Sequence, residues 1–234
     1  MYVRISAINI YGSSIESLEG NGAIITTTPD APTDLIEATE QRTKSTLGLS
    51  WTAPAFTGGA VIDEYRVSYA EQGGAFSVLE SSVVGTSYLA TGLTAGSIYE
   101  FKLEAKNSYS YSAFSETLSL LCAFVPDPPM TVVTVNTNEV VTVAWSEPVS
   151  NGSPVTAYKI LVEEKDTGVF TQEAVDCDGT SSGVVTSKQC SIQLTTLKAS
   201  PYNLVQGDNV NIRVVSVNLY GDSAQSFTGS GAVI

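Results

Sequence analysis

With 234 residues, a formal charge of −13 and no histidine, the chain has room for two sandwich-sized domains and lacks an imidazole base, a Ser-His or Cys-His nucleophile pair and histidine-bound zinc. Its acidic balance opposes phosphate backbones and anionic headgroups, so neither a nucleic-acid partner nor electrostatic membrane docking is expected. Apolar residues make up 43%, the level of a globular protein, and no apolar run has the length of a membrane-spanning helix.

Short runs of Val, Ile, Tyr and Thr separated by polar turns read as all-β from the first residue onward. Met1 opens directly on a strand-like segment with Val3, Ile5 and Ala7 on one face. No charged leader or cleavage site precedes it, so the chain reads either as intracellular or as a piece of a longer precursor. A repeat favours the piece. RISAINIYGSSIESLEGNGAII, from Arg4, returns as RVVSVNLYGDSAQSFTGSGAVI from Arg213, an offset of 213 − 4 = 209. Asn9, Tyr11, Gly12, Ser14, Ser17, Gly20, Gly22, Ala23 and Ile25 all find identical partners. Gly20-Asn21-Gly22 and its copy Gly229-Ser230-Gly231 precede no helical pattern, so they read as strand bulges or turns rather than a phosphate loop.

A second, weaker echo follows along the chain. LGLSWTAP (Leu47, Leu49, Trp51, Pro54) answers VTVAWSEP (Val141, Val143, Trp145, Pro148). Gly58-Gly59 before EYRVSY answers Gly152-Ser153 before AYKILV, pairing Tyr65 with Tyr158. Leu93, Gly96, Phe101, Ala105 and Asn107 answer Leu204, Gly207, Ile212, Ser216 and Asn218. The proline-bearing segments PDAPTDL from Pro29 and PDPPMTV from Pro126 also match, and their prolines make semi-rigid linkers. Alternation of Leu47, Leu49 and Trp51 with Gly48 and Ser50 buries one face of each strand, as does alternation of Tyr99, Phe101 and Leu103 with Glu100 and Lys102.

As a set, the proline-rich entry, the L-x-W-x-x-P strand, the Gly-rich turn before Y-x-V-x-Y, and L-x-x-G-x-x-Y-x-F-x-x-x-A-x-N resemble the fibronectin type III family across nearly the whole chain. That resemblance implies tandem seven-stranded antiparallel immunoglobulin-like β-sandwiches. It makes Trp51, Trp145, Tyr65, Tyr158, Leu93, Tyr99 and Leu204 structural core. Tyr99 takes the place of the family's corner tyrosine, where the last unit carries Val210. The expected domains are 1–27, the last two strands of a truncated preceding sandwich; 28–124; and 125–234, with an insertion at 176–190.

That insertion, DCDGTSSGVVTSKQC, is expected as a hairpin-like loop closed by a Cys177–Cys190 disulfide, with two free thiols as the alternative. Cys122 reads as a buried small apolar residue. Asn151-Gly152-Ser153 is a glycosylation sequon at a turn, followed by the unhelpful Pro154. The junction aspartates Asp30 and Asp127 supply one carboxylate each, short of the oxygens calcium requires. Tyr109, Tyr111 and Phe114 read as surface aromatics available to a neighbouring domain or a lateral contact. No catalytic residue, cofactor or metal is expected, and the chain reads as no enzyme.

The function expected is a structural or adhesive spacer in a long extracellular or cell-surface filament. Its partners are then flanking fibronectin type III domains of the same chain, with lateral self-association or other surface proteins besides. Alternation of a short unit with a longer cysteine-bearing one also resembles very large repeat proteins of ciliated protists, which implies a ciliary surface. A ligand-recognition module of a receptor ectodomain and an intracellular structural array are the alternatives.

Overall fold

A computed structural model describes residues 1–234. The first residues form a hairpin of β1 (Ile8–Asn9) and β2 (Gly12–Ser13). Two sandwiches follow. The first has β3 (Thr33–Ala38), a 3-10 turn at Thr39–Gln41, β4 (Leu47–Thr52), β5 (Ile62–Glu71), β6 (Ser77–Val83), β7 (Ser87–Ala90), β8 (Ile98–Asn107) and β9 (Leu118–Leu121). The second has β10 (Val132–Thr137), β11 (Val140–Trp145), β12 (Ala157–Glu163), β13 (Phe170–Glu173), helix α1 (Ser182–Ser187), β14 (Gln189–Gln193), helix α2 (Leu194–Lys198), β15 (Ile212–Asn218) and β16 (Gly221–Asp222).

Each sandwich stacks a three-stranded sheet on a four-stranded one, ordered β3-β4-β7 on β6-β5-β8-β9 and β10-β11-β14 on β13-β12-β15-β16. Neighbours pair antiparallel throughout the second sandwich, as do β3 with β4 and β5 with both β6 and β8 in the first. The chain divides into two compact units. One holds residues 1–41, 48–90 and 98–120, and the other holds 42–47, 91–97 and 121–234.

Strand alternation does what the sequence requires of it. In β8 Tyr99, Phe101, Leu103 and Ala105 are buried, and between them Glu100 and Lys102 keep part of their surface in water. Fully buried Phe101 and Ile160 each contribute about 1.5–3 kcal/mol of burial free energy. Trp51 meets Tyr65 edge-on at 5.3 Å, and Trp145 meets Tyr158 edge-on at 5.0 Å, so each core has the same aromatic plug.

Three features differ from the sequence reading. The turn before the third strand pairs Gly58 with Asn151, one residue earlier than the Gly58–Gly152 match. Thr27 N–H donates to Gly58 O just as Phe124 N–H donates to Asn151 O, both at 2.9 Å. Gly58 (φ 71°) and Asn151 (φ 52°) occupy the same left-handed conformation, which glycine and asparagine tolerate best. The second difference is the insertion, which contains α1 instead of a hairpin-like loop. Val184 and Val185 pack against the core there, and that burial outweighs the poor helix propensity of the segment. A second short helix, α2, has Leu197 fully buried, and apart from these two short helices and a 3-10 turn the chain is all-β, as the sequence reading expects.

The third concerns the final strand, which advances three residues for every two of its partner. Ser223, Ser226 and Gly229 donate to the carbonyls of Ser216, Val214 and Ile212, and Val210 donates to Ala232. Burial follows the same period: Ser223, Ser226, Gly229 and Ala232 are buried and the residues between them are not. An extra residue per step leaves strand N–H groups unmatched, and serine hydroxyls fill the gap. Ser223 Oγ accepts from Ser216 N–H and Ser226 Oγ from Val214 N–H, both at 2.9 Å. Ser112 and Ser115 repeat the device on Ala105 and Leu103, and Ser14 and Ser17 repeat it on Ala7 and Ile5.

Candidate functional site

Each linker is stitched into the sandwich that it enters. Asp30 N–H donates to Phe56 O at 3.0 Å, and Asp127 N–H donates to Val149 O at 2.9 Å. Above these bonds sits one buried carboxamide per sandwich. Asn107 Nδ2 donates to Thr27 O and Thr57 O, both at 2.8 Å, while its Oδ1 accepts from Tyr109 N–H and Ser110 N–H. Asn218 Nδ2 donates to Phe124 O at 2.8 Å and to Ser150 O and Ser153 O at 3.2 Å, while its Oδ1 accepts from Tyr220 N–H. A carboxamide offers two donors and an acceptor, which is what a turn, a loop and a linker need from one residue. Asn9 makes the same turn bond, to Tyr11 N–H at 2.9 Å.

At Gly58 the linker runs so close that a Cβ would collide with Thr27 O. The second sandwich uses Asn151 there instead, and its Nδ2 donates to Val125 O and Asp127 Oδ1, both at 2.9 Å. Asn151 is also the residue of the expected glycosylation sequon. The residue is only 4% exposed and both of its amide hydrogens are engaged, so the atom that a glycan would occupy is turned into the protein.

The insertion is organised by a disulfide and by carboxylates. Cys177 and Cys190 are bonded, with Cα atoms 5.4 Å apart. Beside them the buried Glu173 carboxylate accepts from the N–H groups of Val175, Asp176 and Cys177 at 2.8–3.0 Å. Asp176 accepts from Gln193 N–H and the Thr196 hydroxyl, fixing the loop to α2. Hydroxyl and backbone N–H bonds from Thr180 hold the Asp178 carboxyl below its ordinary range.

Trp51, Trp145, Tyr65, Tyr158, Leu93, Tyr99 and Leu204 are all buried, and Val210 is fully buried at the corner position of the second sandwich. That sandwich has a tyrosine bond of its own elsewhere: Tyr202 Oη donates to Gln172 O at 3.2 Å. Burial, with the nearby Glu173 and Glu164, pushes the Tyr202 phenol up to about 12. Cys122 is fully buried and its thiol faces Lys44 O at 3.4 Å. Burial raises its pKa against the opposing pull of Arg42, so the reactive thiolate is disfavoured. Tyr111 and Phe114 already serve cations of their own sandwich: Arg66 lies 3.9 Å from the Tyr111 ring centroid, and Lys102 lies 4.0 Å from both Phe76 and Phe114.

Sequence reasoning matched Asn107 with Asn218 without finding their task, because their partners lie 80 and 94 residues away. The serine pairs carried a usable signal, since small residues recur every third position at Ser14, Ser17, Gly20 and Ala23. Chemically, these groups grip backbone.

Residues 30–120 and 126–230 each match the fibronectin type III domain model. The chain belongs to the fibronectin type III family. Among curated proteins, it is 28% identical to the Kelch domain-containing protein SSO1033 of Saccharolobus solfataricus, over 91% of this chain and 26% of that protein. It is 27% identical to human sidekick-1, over 99% of this chain and 10% of that protein, and 28% identical to human myomesin-2, over 99% and 15%. The chain thus spans about a quarter or less of the length of these relatives. Of solved structures, the two fibronectin type III domains of chicken tenascin align over 87% of this chain and all of that one, at 24% identity and a TM-score of 0.45. The twitchin kinase region of C. elegans aligns over 41% of this chain and 17% of that one, at 31% identity and a TM-score of 0.38.

Proposed function

We propose that these fibronectin type III domains are a structural and adhesive spacer in a long extracellular or cell-surface repeat protein, and that they catalyse nothing. The observation that carries this reading is the linker clasp, made by Asn107 in one domain and Asn218 in the next. A linker hydrogen-bonded into the domain it enters resists being peeled away when the chain is pulled, which suits a spacer. Flanking fibronectin type III domains are the partners that this role requires, with lateral contacts between arrays as a further one. Relatives such as myomesin-2 and a titin homolog, of which this chain covers 15% and 1%, fit a chain used as part of a longer array.

The extracellular setting rests on the Cys177–Cys190 bond, because disulfides persist in oxidising compartments. Intact mass under non-reducing conditions, after thiol alkylation of protein from its natural host, tests it. The expected result is one alkylated cysteine, Cys122, with the other two linked. Alkylation of all three would move the spacer inside the cell.

A further inference from the structure

The hairpin at residues 1–25 has the strand register of a finished sandwich but no body to lie on. Ser14, Ser17, Gly20 and Ala23 donate to the carbonyls of Ala7, Ile5, Val3 and Met1, the same three-against-two register as residues 210–232. In the second sandwich the inward positions of that register are sealed, with Ile212 and Val214 at 0% exposure and Ala232 at 1%. Their copies Val3 and Ile5 are 49% and 71% exposed. The edge that β15 offers to β12, from Ile212 to Val217, is unpaired in the hairpin from Val3 to Ile8.

The glycines say what covers it. Gly229 and Gly231 lie under β10: a Cβ on Gly229 would collide with Val132 O, and one on Gly231 would lie 2.7 Å from Thr134 O. Val133 and Ser230 form a parallel bridge between them. Gly20 and Gly22 occupy the same two places in the hairpin, and there a Cβ on Gly20 would meet only Val3 O, at an ordinary 3.5 Å. Nothing within the hairpin requires glycine at position 20. The first sandwich carries Leu118 and Leu120 at these places, so close approach by the opening strand belongs to the long, cysteine-bearing sandwich alone.

The geometry points to one occupant for this surface: the first five strands of a sandwich of the 125–209 kind, seated with its opening strand over Gly20 and Gly22 and its third strand along Val3 to Ile8. In that seat a tyrosine equivalent to Tyr158 faces Ala7, and an isoleucine equivalent to Ile160 faces Ile5, as they face Ser216 and Val214 in the second sandwich. The surface would thus select the long type over the short one. This inference is independent of compartment, so its failure would leave the spacer reading standing.

The test joins a second copy of residues 125–209 directly ahead of Met1 of the full chain and follows amide exchange of residues 3–25. Expected is slowing by a factor of about 100 or more against the unextended chain, as for strands that join a cooperative unit. Residues 28–98 placed ahead of Met1 should give much weaker protection. Gly20→Val should lower the melting of the added sandwich only, and leave the unextended chain's two transitions in place. Exchange at residues 3–25 as fast in the extended chain as without the extension would overturn the inference, as would equal protection by both extensions. A dimer of the unextended chain with residues 3–25 protected would overturn it too, by making a second copy the occupant.

Discussion

At Asn107 and Asn218 a single side chain closes a turn, holds a loop and fastens a linker, so the cost of losing it exceeds that of one hydrogen bond. Asn218→Ala leaves the Phe124, Ser150 and Ser153 carbonyls without this donor. A buried group left unsatisfied costs about 1–3 kcal/mol. We expect a loss of that order or more in the second unit, read from its denaturant midpoint, whereas Asn9→Ala should leave both midpoints where they were. A second test at this scale uses pH. Tyr202 has a folded pKa of about 12, above its ordinary 10.0. Between these values the unfolded chain gives up the proton and the folded one keeps it, so this group's stabilisation is full below pH 10 and is lost as pH rises toward 12. Alkaline unfolding of the second unit should begin in that window. Tyr202→Phe should flatten the dependence while costing the bond to Gln172 at every pH; an unchanged slope would contradict the assignment.

Elements were legible in the sequence wherever period-two alternation was strong. β4, β5, β8, β11, β12 and β15 follow the repeat of Trp51, Tyr65 and Phe101 with Trp145, Tyr158 and Ile212. What stayed hidden was non-local. Helix α1 depends on Val184 and Val185 finding the core, and the three-residue pitch of the last strand depends on serines facing N–H groups of another strand. The one-residue slip at Asn151 arose because glycine and asparagine both serve at positive φ, which the letters alone do not align. The loop that bears α1 offers the prediction at this scale. Removing the Cys177–Cys190 bond frees a segment whose ends are 13 residues apart, worth about 3 kcal/mol in the chain-entropy model. Cys177→Ser with Cys190→Ser should lower the second unit's melting temperature and leave the first unit's unchanged. Equal shifts in both units would mean that they do not melt separately.

For the whole molecule, the repeat at 209 residues was legible because it is written in side chains, whereas the clasp was not, because it joins positions far apart in sequence. The central claim is that the chain is a pair of mechanical units, each with its entry linker fastened in. Stretching the full chain between two handles tests this most directly. Each unit should yield in its own step, releasing on the order of 300 Å from about a hundred residues at 3.3–3.6 Å each. With the disulfide intact the second unit should release about 40 Å less than after reduction, since 13 residues are held back behind a bond whose Cα atoms lie 5.4 Å apart. Two separate steps, one of them lengthened by reductant, are the expected result; a single step that releases both units together, or extension without a force peak, would contradict the account.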